Sequence, residues 1–109
     1  MSIAAGPEGG AAVTVFASFH ARPGKGDELR DLLSWMVGNT RAEPGCLAYD
    51  LYRREGGDEV YHLLERYRSR QTLEAHRAAA YYAEYRRRVA DLIEQPVEVK
   101  VLEPVDARG

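Results

Sequence analysis

The chain has 109 residues, of which 45% are hydrophobic and 29% charged, with a net charge of -2. That length fits one domain with a single core, and the balance is globular rather than disordered. A slightly acidic chain has no basic excess to hold nucleic acid by counterion release. The lone cysteine, Cys46, rules out an internal disulfide and points to a reducing, cytoplasmic setting. No apolar run approaches the roughly 18 residues of a membrane span.

Residues 1–12, MSIAAGPEGGAA, lack the basic and apolar regions of a secretory signal and are expected to form a flexible tail. VTVFASFH (13–20) is rich in β-branched and aromatic residues and is predicted as a strand. Pro23 and Gly24 punctuate the chain. From Asp27 onward, Leu29, Leu32, Leu33, Met36, Val37 and Thr40 recur at helical spacing. Asp27 and Glu28 fall in the first turn, where the helix dipole favours them, and Pro44-Gly45 stops the helix. CLAYDLYRR (46–54) alternates Leu47, Tyr49 and Leu51 against Ala48, Asp50 and Tyr52, as a strand does. EGGD (55–58) turns it into a second arm, EVYHLLERY (59–67). Ser69 is placed to cap the next helix. Leu73, His76 or Arg77, and Ala80 share one helical face, whereas Tyr82, Tyr85, Val89, Leu92 and Ile93 share another. A break near Ala80 is therefore predicted. PVEVKVLEPV closes the chain with Val97, Val99 and Val101 alternating against Glu98 and Lys100. The folded domain is expected over 13–105, followed by a short tail, 106–109.

The order β-α-β-β-α-β predicts an α+β, ferredoxin-like fold: an antiparallel four-stranded sheet with helices on one face. The uncovered face would carry Phe16, Leu64 and Leu102, an apolar patch that a second chain is expected to cover.

Three segments in this order, ARPGKGDELRDLL (21–33), TRAEPGCLAYDLY (40–52) and LLERYRSRQTLEAH (63–76), precede an aromatic-rich helix. Together they resemble the antibiotic-biosynthesis monooxygenase family of dimeric α+β barrel proteins, from about Val13 to Val105. The second is the most specific: an acidic residue, Pro-Gly, then an aromatic in the next strand. The resemblance implies a homodimer with a pocket between sheet and helices in each subunit. Family activities range over cofactor-free oxygenation of anthrones and quinols, sugar-phosphate isomerisation and haem degradation, so the fold alone does not fix the reaction. Anthrone oxygenases of this kind use an Asn and a Trp on the third strand and a Tyr early in the next helix. Leu63, Tyr67 and Leu73 stand at those positions, so only an aromatic is kept. Haem-degrading members use an Asn, a Trp and a His where Ala17, His76 and Arg86 stand here. Without that His, haem is not expected.

Strand alternation puts Tyr61, Leu63, Glu65 and Tyr67 on one face, which the resemblance turns toward the pocket. Val13, Val15, Ala17 and Phe19 of the first strand join them, with Leu47, Tyr49 and Leu51 of the second. Glu65, Tyr67, Tyr49 and His76 thus converge on an otherwise apolar space, the composition of a small-molecule site. One reading makes His76 a general base oriented by Glu65, whose charge would raise the histidine's pKa. The bland reading has Glu65 bonded to an arginine or the backbone and His76 satisfied beneath its helix. Tyr49, Tyr61, Tyr67, Trp35, Phe19 and Arg86 are candidate substrate contacts, with Trp35 either roofing the pocket or filling core.

His20 and His62 fall on the opposite sheet face, where, with Asp50, they offer a weak metal set. Interface hydrogen bonding is the better reading, and no metal is assigned. Tyr82, Tyr85 and Val89 form a stripe that Arg86, Arg87 and Arg88 mostly avoid, a buried aromatic face with a solvated basic one rather than a nucleic-acid surface. Cys46 reads as packing, since no histidine adjoins it in sequence. The expected protein is a cytoplasmic homodimer, a cofactor-independent monooxygenase of a small phenolic, quinol or polycyclic aromatic substrate using molecular oxygen. Its rivals are an isomerase of a small keto or hydroxy compound and a non-catalytic binding protein.

Overall fold

A computed structural model describes residues 12–108. The expected N-terminal tail therefore lies outside the described residues except for Ala12, and of the expected C-terminal tail Gly109 alone lies outside them. Chain order is β1 (Val13–His20), α1 (Gly26–Arg41), β2 (Cys46–Arg53), β3 (Val60–Tyr67), α2 (Arg70–Arg77), α3 (Ala80–Val89) and β4 (Glu98–Leu102). The strands lie in the order β2-β3-β1-β4, and each adjacent pair is antiparallel. This is the ferredoxin-like arrangement. Among the described residues no helix is long and apolar enough to cross a membrane.

The core follows from strand alternation. Val13, Val15, Ala17 and Phe19 of β1 and Tyr61, Leu63, Glu65 and Tyr67 of β3 are all buried, and they face each other in register. Leu29, Leu32, Leu33 and Met36 of α1 close over them. Strand β2 departs from the expected alternation: a bulge between Cys46 and Ala48 gives Leu47 no partner on β3. Leu47 is 55% exposed rather than in the pocket face, because one extra residue lifts it out of the pleat.

The second helical region does break. Ala79 is extended, with φ -68° and ψ 148°. In one unbroken helix Tyr85, twelve residues after Leu73, would be carried about 120° around the axis from it. The break lets Leu73 and His76 of α2 and Tyr85 and Val89 of α3 all turn inward. Helix α3 ends at Val89, so Leu92 and Ile93 are not part of its stripe. Leu92 is buried in the following turn, and Ile93 bridges to Ala21.

The other sheet face carries half-buried Phe16, stacked on His62 at 5.2 Å, with Leu64 beside it and Leu102 exposed. His62 Nδ1 lies 3.0 Å from Ser18 Oγ, and Asp50 is drawn instead to Arg41 at 2.9 Å. Among the described residues no group of three or more His, Cys, Asp or Glu side chains is placed to hold a metal ion.

Candidate active site

Helix α2 is started by Ser69, whose Oγ accepts a hydrogen bond from the Thr72 backbone N–H at 3.2 Å. That cap fixes the helix over the end of β3 and turns His76 under it, 2% exposed. The tyrosine rings of 49, 67, 81 and 82 pack around the imidazole, with centroids 5.7, 5.4, 6.1 and 5.0 Å away. The expected convergence of His76, Tyr49 and Tyr67 is present.

The carboxylate partner of His76 is Glu43, not Glu65. His76 Nδ1 lies 3.1 Å from Glu43 Oε2. Glu43 also accepts from the Tyr81 hydroxyl, which is 3.1 Å from Thr40 Oγ1. A carboxylate only accepts, so Nδ1 carries the proton and Nε2 is the basic nitrogen. Glu43 is brought there by the turn after α1. Gly45 takes φ +86°, and a Cβ on it would stand 2.7 Å from Thr72 Cγ2. Only glycine lets this turn close on α2 without strain. In the sequence Glu43 stands out only as the acid before Pro-Gly, and nothing in its spacing points to His76.

Glu65 is bonded elsewhere for a local reason. Residues two apart on a strand share a face, and the Tyr67 hydroxyl donates to Glu65 Oε1 at 2.6 Å. Tyr67 thus stands between the two candidate groups, hydrogen-bonded to one and packed on the other.

Their proton affinities are pushed in opposite senses. Burial raises Glu65 to about 7, against smaller lowering effects from the Tyr67 bond and from Arg77. Burial likewise lowers His76, outweighing the upward pull of Glu43. The expectation that a carboxylate would raise this histidine is corrected: loss of hydration of the imidazolium wins. Near pH 7 the histidine is neutral and able to accept a proton, while Glu65 is partly protonated and able to give one. Burial also raises the phenols of Tyr49, Tyr67, Tyr81, Tyr82 and Tyr85, so they serve as hydrogen-bonding walls rather than bases.

Two cavities adjoin this cluster. One, of about 480 Å³, is lined by Glu43, Tyr81, Arg68 and Gln71 among others. The second, of about 540 Å³, runs between α3 and β4 and includes Tyr82, Tyr85, Val97 and Val99. His76 packs on both Tyr81 and Tyr82, one from each wall, so it lies between them.

The remaining candidates are placed further out. Tyr61 is buried at the far end of β3, beside a groove with Arg30 and Ser34. Phe19 is core, edge-on to Tyr85 at 6.4 Å. Trp35 neither fills core nor reaches the histidine: it is 36% exposed, packed edge-on to Tyr81 at 6.0 Å with Arg88 over its ring. Arg86 lies on the α3–β4 cleft. Half-buried Cys46 has its thiol pushed up by burial and by Glu43, the opposite of an activated nucleophile.

The sheet, the paired helices and the acid and histidine buried between them define a ferredoxin-like α+β protein with a pocket-type site. The profile of the antibiotic biosynthesis monooxygenase family matches residues 12–88, and the chain belongs to that family. Rv0793 of Mycobacterium tuberculosis, provisionally named a monooxygenase, is 48% identical over 94 residues, 86% of this chain and 92% of its own. Its solved structure matches with a TM-score of 0.85 at 43% identity, covering 91% of this chain and 100% of that one. PA3566 from Pseudomonas aeruginosa gives a TM-score of 0.81 at 27% identity, over 89% and 97% of the two chains. YcnE of Bacillus subtilis, also provisionally named a monooxygenase, is 23% identical over 87 residues, 80% of this chain and 92% of its own.

Proposed function

We propose that the protein is a cofactor-independent monooxygenase of a small phenolic, quinol or polycyclic aromatic substrate, and that it works as a cytoplasmic homodimer. The observation that carries this reading is a buried His76, with Nδ1 3.1 Å from Glu43 and tyrosine rings around it, beside a cleft large enough for a bicyclic or tricyclic ligand.

In this reading the substrate lies in the α3–β4 cleft against Tyr82. Nε2 of His76 takes a proton from an activated ring position, leaving an electron-rich anion. That anion passes an electron to molecular oxygen, and the resulting pair combines into a peroxide on carbon. Glu65 protonates the peroxide. The O–O bond then breaks as the carbon loses its remaining proton, giving a carbonyl and water. One CH₂ and one O₂ become one C=O and one H₂O. The proton held by His76 returns to Glu65 through the site. Tyr67, hydrogen-bonded to Glu65 and packed on His76, keeps the acid and base in register. The second subunit covers the Phe16, Leu64 and Leu102 face.

Oxygen uptake by protein stripped of metal, run with ¹⁸O₂ against anthrones and naphthalene diols, tests the reaction. One labelled oxygen is expected in the product carbonyl and one in water. Turnover without oxygen consumption would instead make the same acid–base pair an isomerase.

A further inference from the structure

The α3–β4 cleft has walls of one character and a rim of another. Tyr82, Tyr85, Val97 and Val99 supply aromatic and aliphatic surface, and Arg77 and Arg86 stand among its lining residues. Val99 is 50% exposed although its neighbour across the sheet, Ala17, is core. It lies on the helix-facing side of β4, where α3 does not reach to cover it.

Four arginines lie on or beside this cleft, Arg77 at the end of α2 and Arg86, Arg87 and Arg88 in succession on α3, and they are not equivalent. Arg87 is held by Glu84, and Arg88 lies 4.0 Å from the same carboxylate and over the Trp35 ring. Arg77 and Arg86 have no carboxylate within ion-pair distance among the described residues. Both are exposed, so holding them at the mouth of an apolar cleft carries little desolvation cost. An exposed guanidinium left without a counter-ion beside such a cleft is a ready partner for a carboxylate, with planar two-point geometry.

We propose that the cleft selects aromatic acids: a fused-ring ligand lies between Tyr82, Tyr85 and the β4 valines, and its carboxylate is gripped by Arg86 and Arg77. The inference rests on the proposed function for calling that ligand a substrate, but the recognition itself stands on the cleft alone. It also gives Arg86 a purpose that the proton chemistry does not use, and Arg77 one beyond its pull on Glu65. The carboxylate would hold the ring by its outer edge and leave the opposite edge toward the buried histidine.

The test compares two probes that differ only in the anion, 1-hydroxy-2-naphthoate and 1-naphthol, by calorimetric titration of the full chain. The acid is expected to bind about tenfold more tightly, as one charge-assisted pair allows, and to weaken as salt is added. In the double variant Arg77→Gln, Arg86→Gln the preference is expected to vanish while 1-naphthol affinity stays as it was. Arg87→Gln, Arg88→Gln removes the same charge, here entirely from α3, and is expected to retain the preference. Equal affinity for the two probes, no saturable binding of either, or a preference that survives in the first variant each overturns the proposal. Binding is read without turnover, so the two claims fail separately. Selective binding with no oxygen uptake sinks the monooxygenase reading alone, and uptake with no preference for the acid sinks this one alone.

Discussion

Glu65→Gln is expected to make the protein more stable in alkaline solution, by about 3 kcal/mol near pH 9, and to leave its stability almost unchanged near pH 4. The carboxyl is 6% exposed, and its pKa rises on folding from an ordinary 4.5 to about 7 because burial penalises the anion. Between those values the folded state binds more protons than the unfolded chain. Stability therefore falls as pH rises through this window and levels off above it. Glutamine keeps an oxygen for the Tyr67 hydroxyl at nearly the same volume and has no proton to lose. Denaturant unfolding of both proteins across this range checks it. A variant less stable than the parent at every pH would mean that the charged Tyr67–Glu65 bond, not the burial cost, dominates. His76 works in the other direction. Its lowered pKa gives stability that is present above its ordinary 6.5 and lost as pH falls through its folded value, so the comparison with Gln isolates Glu65.

On the proposed function, turnover is expected to fall by roughly a thousandfold in His76→Ala, with KM changed little, since a positioned base contributes about that much and the cleft walls remain. Glu43→Gln is expected to cost roughly a hundredfold by a different route. The amide can turn its NH₂ toward Nδ1, and the imidazole then carries its proton on Nε2, the wrong nitrogen. In the parent protein the rate is expected to rise with pH as His76 loses its proton below 6.5 and to fall again above about 7 as Glu65 loses its own. Stopped-flow oxygen traces over pH give both limbs. A full rate in Glu43→Gln would remove the tautomer argument, and a full rate in His76→Ala would remove the base.

Much of the frame was legible because it is periodic. The alternation along β1 and β3 put Glu65 and Tyr67 on the core face, and the change of helical stripe near Ala80 marked the break between α2 and α3. What periodicity could not show is a residue that leaves the period. Leu47 is misplaced by counting because the bulge inserts one residue, and nothing in CLAYDLY announces it. Pairing was harder still. The partner of Glu65 is not the histidine across space but Tyr67, two residues along the same face, a pairing that the same alternation contains. Glu43 is 33 residues from His76, on a turn where no stripe points, and only the fold brings them together. The sign of the histidine's shift was also out of reach, since it depends on how deeply α2 buries the ring.

The proposed chemistry needs His76 as a neutral base with its proton fixed on Nδ1. Nitrogen-15 NMR of the three imidazoles, assigned by the resonance lost in His76→Ala, reads charge and tautomer without any substrate. The His76 ring is expected to be neutral at pH 7, protonated on Nδ1 and bare on Nε2, with the proton moved to Nε2 in Glu43→Gln. A parent ring that is charged at pH 7, or one that carries its proton on Nε2, would contradict that chemistry.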